Sequence, residues 1–282
     1  MMRSICLLAI FTFLFLLTAT AQIPRYKVHA VKFAGTAIPF TVSDWALNGP
    51  KTKVDINFSV WVIKGDNGKV ILFDTGFLKD AEDAADFKIK DYIRPDSALM
   101  KLGIKPGDVT DVIISHPHWD HIDGVSLFPN AHFWMQKEDY NYFVGQTWQK
   151  GIGSGGFAKR DVRKIVDLNL EGRLTLINGD DKQILPDIRV YTGSRHTFNS
   201  QYVVVNTGIN KIVLASDNIW VYYSLQHLSP PSNGGTLDPA GYVREMKRMK
   251  TLASNVKFII PGHDGKVFSI FPKVADGIVE IR

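Results

Sequence analysis

Between residues 116 and 121 the chain reads His-Pro-His-Trp-Asp-His, two residues after the apolar run Val112-Ile113-Ile114. No other feature constrains the fold as tightly. Three imidazoles and a carboxylate within six residues, following a segment of branched side chains, call for a fold that ends a strand at a polar centre. His116 and His118 are two apart, so in extended backbone they share a face; Asp120 and His121 follow in the turn beyond. One loop can therefore offer two ligands to one cation and two to another. The motif takes three of the chain's eight histidines, more than a solvated loop accounts for.

Two cations need further ligands, and candidates stand where other apolar runs end. His196 follows the predicted strand 188–192, Asp217 follows 211–216, and His263 follows 257–260. Predicted strands also cover 58–64, 70–74, 112–115, 132–136, 174–177 and 201–206, each bounded by turn residues. Helices are expected over 238–252, where Asp238 can cap and Pro239 suits the first turn, and over 97–102, stopped by Gly103. Segments 145–158 and 228–237, rich in Gly and Pro, read as functional loops. Strands outnumber helices without strict alternation, which predicts an α/β domain of two packed sheets flanked by helices.

Residues 1–21 read as an export signal: a basic start at Arg3, an apolar stretch from Ile5 to Leu17, and Ala19-Thr20-Ala21 before the cut. The expectation is a mature chain from Gln22 to Arg282, periplasmic or secreted, with no stable membrane anchor after cleavage. Cys6 is the chain's one cysteine and lies within the signal, so any metal is held by His and carboxylate. Losing Arg3 lowers the net charge from +5 to +4. Lys and Arg are dispersed, and the one dense patch, 244–250, reads as a solvated helix face, so no nucleic-acid partner is expected.

With these residues in place the chain resembles the metallo-β-lactamase superfamily, whose pattern His-x-His-x-Asp-His, His, Asp, His is matched by His116, His118, Asp120, His121, His196, Asp217 and His263. Upstream, Leu72-Phe73-Asp74-Thr75-Gly76 is similar to the strand-end aspartate of that family. The resemblance implies a single-domain αββα sandwich with two metal ions at one edge. It also implies that His116, His118 and His196 hold the first ion and Asp120, His121 and His263 the second, with Asp217 bridging. Zinc is the first expectation, although iron, manganese or cobalt accept the same ligands. Asp74 would orient a ligand or stabilise its turn.

Two such ions acidify a bridging water and leave positions for a carbonyl or phosphoryl oxygen. The implied reaction is hydrolysis by attack of a metal-bridging hydroxide, with Asp120 able to pass a proton to the leaving oxygen. The absence of a cysteine ligand and the presence of Asp217 argue against two β-lactamase branches. The spacings, 75 residues from His121 to His196, 21 to Asp217 and 46 to His263, look most like N-acyl homoserine lactonases. One departure stands out: the lactonases commonly carry a tyrosine three residues after the bridging Asp, where this chain has Trp220. Tyr222 or Tyr223 would have to take its place, or the substrate is a different ester, lactone or phosphotriester. Trp45, Trp148, Phe157 and Trp220 suggest an apolar acyl pocket. A persulfide-oxidising enzyme with a single iron, held by two His and one Asp, is the alternative from another class.

Overall fold

The computed structural model describes residues 25–150, 155–232 and 234–282; the export-signal reading of residues 1–21 lies outside them. The strands are β1 (Tyr26–Thr36), β2 (Asn57–Gly65), β3 (Val70–Phe73), β4 (Ile89–Lys90), β5 (Asp111–Ile113), β6 (His132–Gln136), β7 (Leu174–Ile177), β8 (Lys182–Leu185), β9 (Ile188–Thr192), β10 (Gln201–Asn206), β11 (Lys211–Ser216), β12 (Ile259–Pro261), β13 (Lys273–Ala275) and β14 (Ile278–Glu280). The helices are α1 (Val42–Trp45), α2 (Pro95–Leu99), α3 (Trp119–Ile122), α4 (Lys137–Val144), α5 (Lys159–Leu170), α6 (Tyr222–His227), α7 (Pro239–Leu252) and α8 (Val267–Ile270). A larger sheet runs β13-β14-β1-β2-β3-β5-β6-β7, with β4 also paired to β1, and a smaller one runs β12-β11-β10-β9-β8.

Alternation along the strands decides the layering. In β2, Phe58, Val60 and Val62 join one core while Trp61 and Ile63 join another; in β3, Val70 and Leu72 part from Ile71 and Phe73 in the same way. The core containing Trp61 and Phe73 lies between the sheets, against Val203, Val213 and Ala215. The core containing Val60 and Leu72 is covered by Leu99 of α2, Phe143 of α4 and Ile165 of α5. Tyr242, Met246 and Met249 of α7 cover the smaller sheet. The layers are thus helix, sheet, sheet, helix, as the resemblance implied. The central strands β2, β3, β5 and β11 are covered on both faces, which is why they read as nearly continuous apolar runs.

Several boundaries differ from the sequence expectation. β5 ends at Ile113, because Ser115 turns its backbone N–H to the carboxylate of Asp74. The helix expected over 97–102 begins at Pro95 and tightens into a 3-10 turn before Gly103, whose φ is 71°. The helix expected over 238–252 is found: Asp238 accepts from the Gly241 N–H at 2.8 Å and Pro239 opens the first turn. β1, the longest strand, and helices α4 and α5 were not anticipated.

The connections that follow β3 and β5 are tied to each other. The Thr75 N–H and hydroxyl both donate to the His121 carbonyl at 2.8 Å, and the Gly124 N–H donates to the Gly76 carbonyl at 2.9 Å. Asp123, fully buried, accepts from the Leu78 N–H at 2.9 Å and from Arg160 and Lys164 of α5. A Cβ on Gly124 would fall on the Thr75 carbonyl, and backbone cannot step aside as a flexible side chain can. Gly124→Ala is therefore expected to cost about 3 kcal/mol in chemical denaturation. Gly103→Ala, at positive φ but in open space, should cost only about 1 kcal/mol. Equal costs would show that the close approach at Gly124 is not what holds the turn.

Candidate metal centre

Seven polar side chains arrive at one edge of the sandwich from the ends of strands. His116 and His118 leave β5, Asp120 and His121 lie in α3, His196 follows β9, Asp217 follows β11 and His263 follows β12. Three residues at these exits, Asp74, Arg195 and Ser216, have φ of 63°, 55° and 47°. Left-handed backbone costs a side-chain-bearing residue on the order of 1–2 kcal/mol, so each exit is bent sharply at a cost the surrounding bonds must offset.

The ring nitrogens converge in two sets. His118 Nδ1 lies 3.1 Å from His116 Nε2 and 2.9 Å from His196 Nε2. On the other side, Asp120 Oδ2 lies 3.3 Å from His121 Nε2 and 3.6 Å from His263 Nε2. Asp217 stands between them: Oδ2 is 3.2 Å from His196 Nε2, while Oδ1 is 3.4 Å from His121 Nε2 and 3.0 Å from His263 Nε2. His116, His118 and His196 form one group able to hold a cation, and Asp120, His121 and His263 a second.

The electrostatics of the two groups differ. Burial, reinforced by His196, pushes His118 down to about 3; burial and the neighbouring imidazoles likewise lower His116, and burial lowers His196. Three neutral imidazoles thus turn lone pairs toward one point. Around His121 burial opposes the charged form, yet Asp120, Asp217 and Asp74 outweigh it and raise its pKa. At His263 burial is likewise outweighed, chiefly by Asp217. The buried Nε2 of His121 and Oδ1 of Asp217 have no hydrogen-bond partner. Converging lone pairs on one side and excess carboxylate on the other fit two divalent cations.

Each ligand candidate is fixed from behind. Asp74, fully buried, accepts from the Ser115 N–H at 2.7 Å, the Ser115 hydroxyl at 2.8 Å, the Ser216 hydroxyl at 3.0 Å and His121 Nδ1 at 2.8 Å. His263 Nδ1 donates to the Asn57 carbonyl at 3.1 Å, and His196 Nδ1 donates to the Gly235 carbonyl at 2.7 Å. These bonds leave the other ring nitrogen of each as an acceptor facing the centre. The loop carrying His196 is anchored by Asp139 of α4, which accepts from the Thr197 hydroxyl at 2.6 Å and the Asn199 N–H at 3.1 Å. Burial pushes Asp139 up to about 6 in spite of those bonds. Sequence reasoning missed Asp139 and the serines, although Ser115 and Ser216 do adjoin predicted ligands.

The centre opens into a cavity of about 660 Å³ lined by His118, Asp120, His196, Asp217 and His263 together with Phe40, Trp45, Phe87, Trp119, Phe157 and Trp220. Both loops expected to carry function contribute, through Gly155–Phe157 and Gly234–Leu237. Tyr222 and Tyr223 do not line it, so the expectation that one of them acts at the centre is corrected. Tyr222 opens α6 with its ring in the inter-sheet core and a partnerless hydroxyl, and Tyr223 stacks on His227 at 4.1 Å. Tyr142, not anticipated, does line the cavity and stacks on Phe198 at 4.7 Å. Trp220 turns its indole N–H to Asp217 Oδ2 at 2.8 Å. Its ring packs on Trp45 and occupies the space a Cβ on Gly235 would need.

Comparison with known proteins agrees with this architecture. The profile of the Metallo-beta-lactamase superfamily matches residues 57–263. N-acyl homoserine lactonase AttM of Azorhizobium caulinodans is 26% identical over 188 residues, covering 62% of this chain and 65% of that protein, just under two thirds of its length. Two solved structures share the fold. An N-acyl homoserine lactone hydrolase with N-hexanoyl-L-homoserine at its catalytic metal centre superposes with a TM-score of 0.65 at 17% identity, covering 89% of this chain and 98% of that one. The hydrolase AbOPH of the beta lactamase superfamily gives 0.65 at 17% identity, covering 91% and 93%.

Two outcomes follow from the geometry. Trp220→Phe leaves a smaller aromatic ring and removes the bond to Asp217, so chelator competition should find a bound divalent metal held about tenfold more weakly with the circular dichroism unchanged; unaltered metal retention would mean the indole serves packing alone. Asp139 has a raised pKa in the fold, so its contribution to stability is full below about pH 4 and is lost as the pH rises through 6. The stability of the native chain minus that of Asp139→Asn should thus grow by about 2 kcal/mol between pH 7.5 and 4.5. A flat difference would show that this carboxylate titrates normally.

Proposed function

From a chain that belongs to the metallo-beta-lactamase superfamily, we propose an exported, dinuclear-metal lactonase that opens N-acyl homoserine lactones and related rings. The observation that carries this reading is the pair of nitrogen and carboxylate groups sharing Asp217 at the floor of an aromatic cavity. His116, His118 and His196 would hold one ion, Asp120, His121 and His263 the other, and Asp217 both. Zinc is the metal we propose; the imidazole and carboxylate donors suit it but accept iron, manganese or cobalt as well, so metal analysis makes the choice. Bound there, two such ions supply an acidified water and a Lewis acid for the carbonyl oxygen.

The chain's own groups do the rest. Asp120 lines the cavity with Oδ2 near the second group, where it can carry a proton to the leaving ring oxygen. The Trp220 indole N–H holds Asp217 in register, while its ring forms part of the cavity wall. The aromatic walls accept an acyl chain and keep bulk water from the reacting carbonyl. The lactonase activity in the names of AttM and of the structural neighbour supports the substrate class. The signal-like residues 1–21 support a periplasmic or secreted location, where such an enzyme meets lactones before they enter a cell.

The test is a panel assayed on protein lacking residues 1–21, with metal content measured on the same sample: acyl homoserine lactones of graded length, a δ-lactone, a phosphotriester, a β-lactam and glutathione persulfide. Two metals per chain, proton release on the lactones and at least a hundredfold loss after chelation, restored by zinc, are expected. One iron per chain with oxygen uptake on the persulfide would replace the reading with an oxidoreductase.

A further inference from the structure

The cavity's lining has an unbalanced charge. Asp44, Asp83 and Asp86 line it in addition to Asp120 and Asp217, and no Lys or Arg does so among the described residues. The undescribed residues 151–154 and 233 carry no ionisable side chain. Asp120 and Asp217 face the two dications they would hold, which more than offset their charge, so the negative side of the cavity is the one away from the metal groups. The other three have no such partner among the described residues: the exposed Asp44 carboxylate accepts from the Thr41 N–H and hydroxyl alone, and neither Asp83 nor Asp86 forms an ion pair. They come from α1 and from the 3-10 turn Glu82–Phe87, and the aromatic rings of Phe40, Trp45 and Phe87 stand beside them in the cavity wall. Phe40 meets Trp45 at 5.4 Å and Phe87 at 6.4 Å between ring centroids. Arg195, next to His196, has its guanidinium over the Phe198 ring at 5.4 Å; one cation against three carboxylates leaves the wall negative.

Building on the lactonase reading, we propose that Asp44, Asp83 and Asp86 make the cavity a charge filter: it admits lactones or esters with a neutral or cationic arm and turns away anionic ones. Aromatic faces with adjacent carboxylates stabilise an ammonium group, while a carboxylate arm would pass carboxylates of its own sign, two of them exposed and so open to screening by salt. Addition of water across the lactone C–O bond converts the neutral ring to a hydroxy-carboxylate and one proton, so the charge of the arm is the property by which substrates differ on entry.

Three acyl homoserine lactones of equal length, ending in methyl, trimethylammonium or carboxylate, test this. At 20 mM salt kcat/KM should fall in the order cation, neutral, anion, with the anion on the order of tenfold below the neutral compound. Raising salt to 0.5 M should compress the series, and so should D83N/D86N at low salt. Choline and its neutral isostere 3,3-dimethylbutanol, titrated against tryptophan fluorescence, read the same preference without turnover. Equal ratios at both salts and in the double variant would overturn the filter while leaving lactonase activity standing. No lactone opening, with cation preference in binding retained, would overturn the lactonase reading and leave the filter.

Discussion

One buried carboxylate holds the two sheets in register where it matters. Asp74, at the end of β3, gathers donors from the exit of β5, from α3 and from the exit of β11, which belongs to the other sheet. A desolvated charge is tolerable only when its lone pairs are filled, and here four donors fill them. The penalty for an unmatched partner falls equally on Ser115, Ser216 and His121, so the arrangement is cooperative. It also offsets the left-handed backbone at Asp74 and Ser216. The edge that carries the polar centre is therefore the most constrained part of the sandwich.

The residues around that edge fall into two electrostatic halves. Neutral imidazoles make up one, held neutral by burial and mutual proximity; carboxylates dominate the other and raise the pKa of His121 and His263. Asp217 touches both, one oxygen to each, and Trp220 uses part of the capacity of the oxygen on the imidazole side. Gly235 connects this to the cavity wall, since its carbonyl orients His196 and its missing Cβ makes room for the Trp220 ring. The loop that shapes the cavity is consequently part of the frame that sets the imidazoles.

Much of this was legible in sequence for a local reason. His116 to His121 pack ligand-grade side chains densely, and His196, Asp217 and His263 each follow an apolar run, so their convergence needed only that strand exits meet. The layers were legible because strand runs were apolar on both faces. β1 was not, since Lys27, His29 and Lys32 interrupt its pattern and its stabilisation comes from distant partners in β2 and β14. Helix α5 was hidden because its buried positions, Asp161, Ile165 and Leu168, are spaced among charged residues. Tyr222 and Tyr223 misled because sequence proximity to Asp217 says nothing of rotation: α6 starts at Tyr222 and turns that ring into the core. The acidic wall gave no signal, as Asp44, Asp83 and Asp86 meet only through the fold.

The separation of the ligand groups along the chain has a consequence for how the protein is made. Residues 116–121 provide four of the seven groups but complete neither set, and His263 follows the parallel strand β12, which comes after α7 in the chain. Contacts this remote are formed late and slowly, because the intervening chain must be ordered first. The seven groups thus converge only once β12 has joined its sheet beside β11, however early residues 116–121 are made.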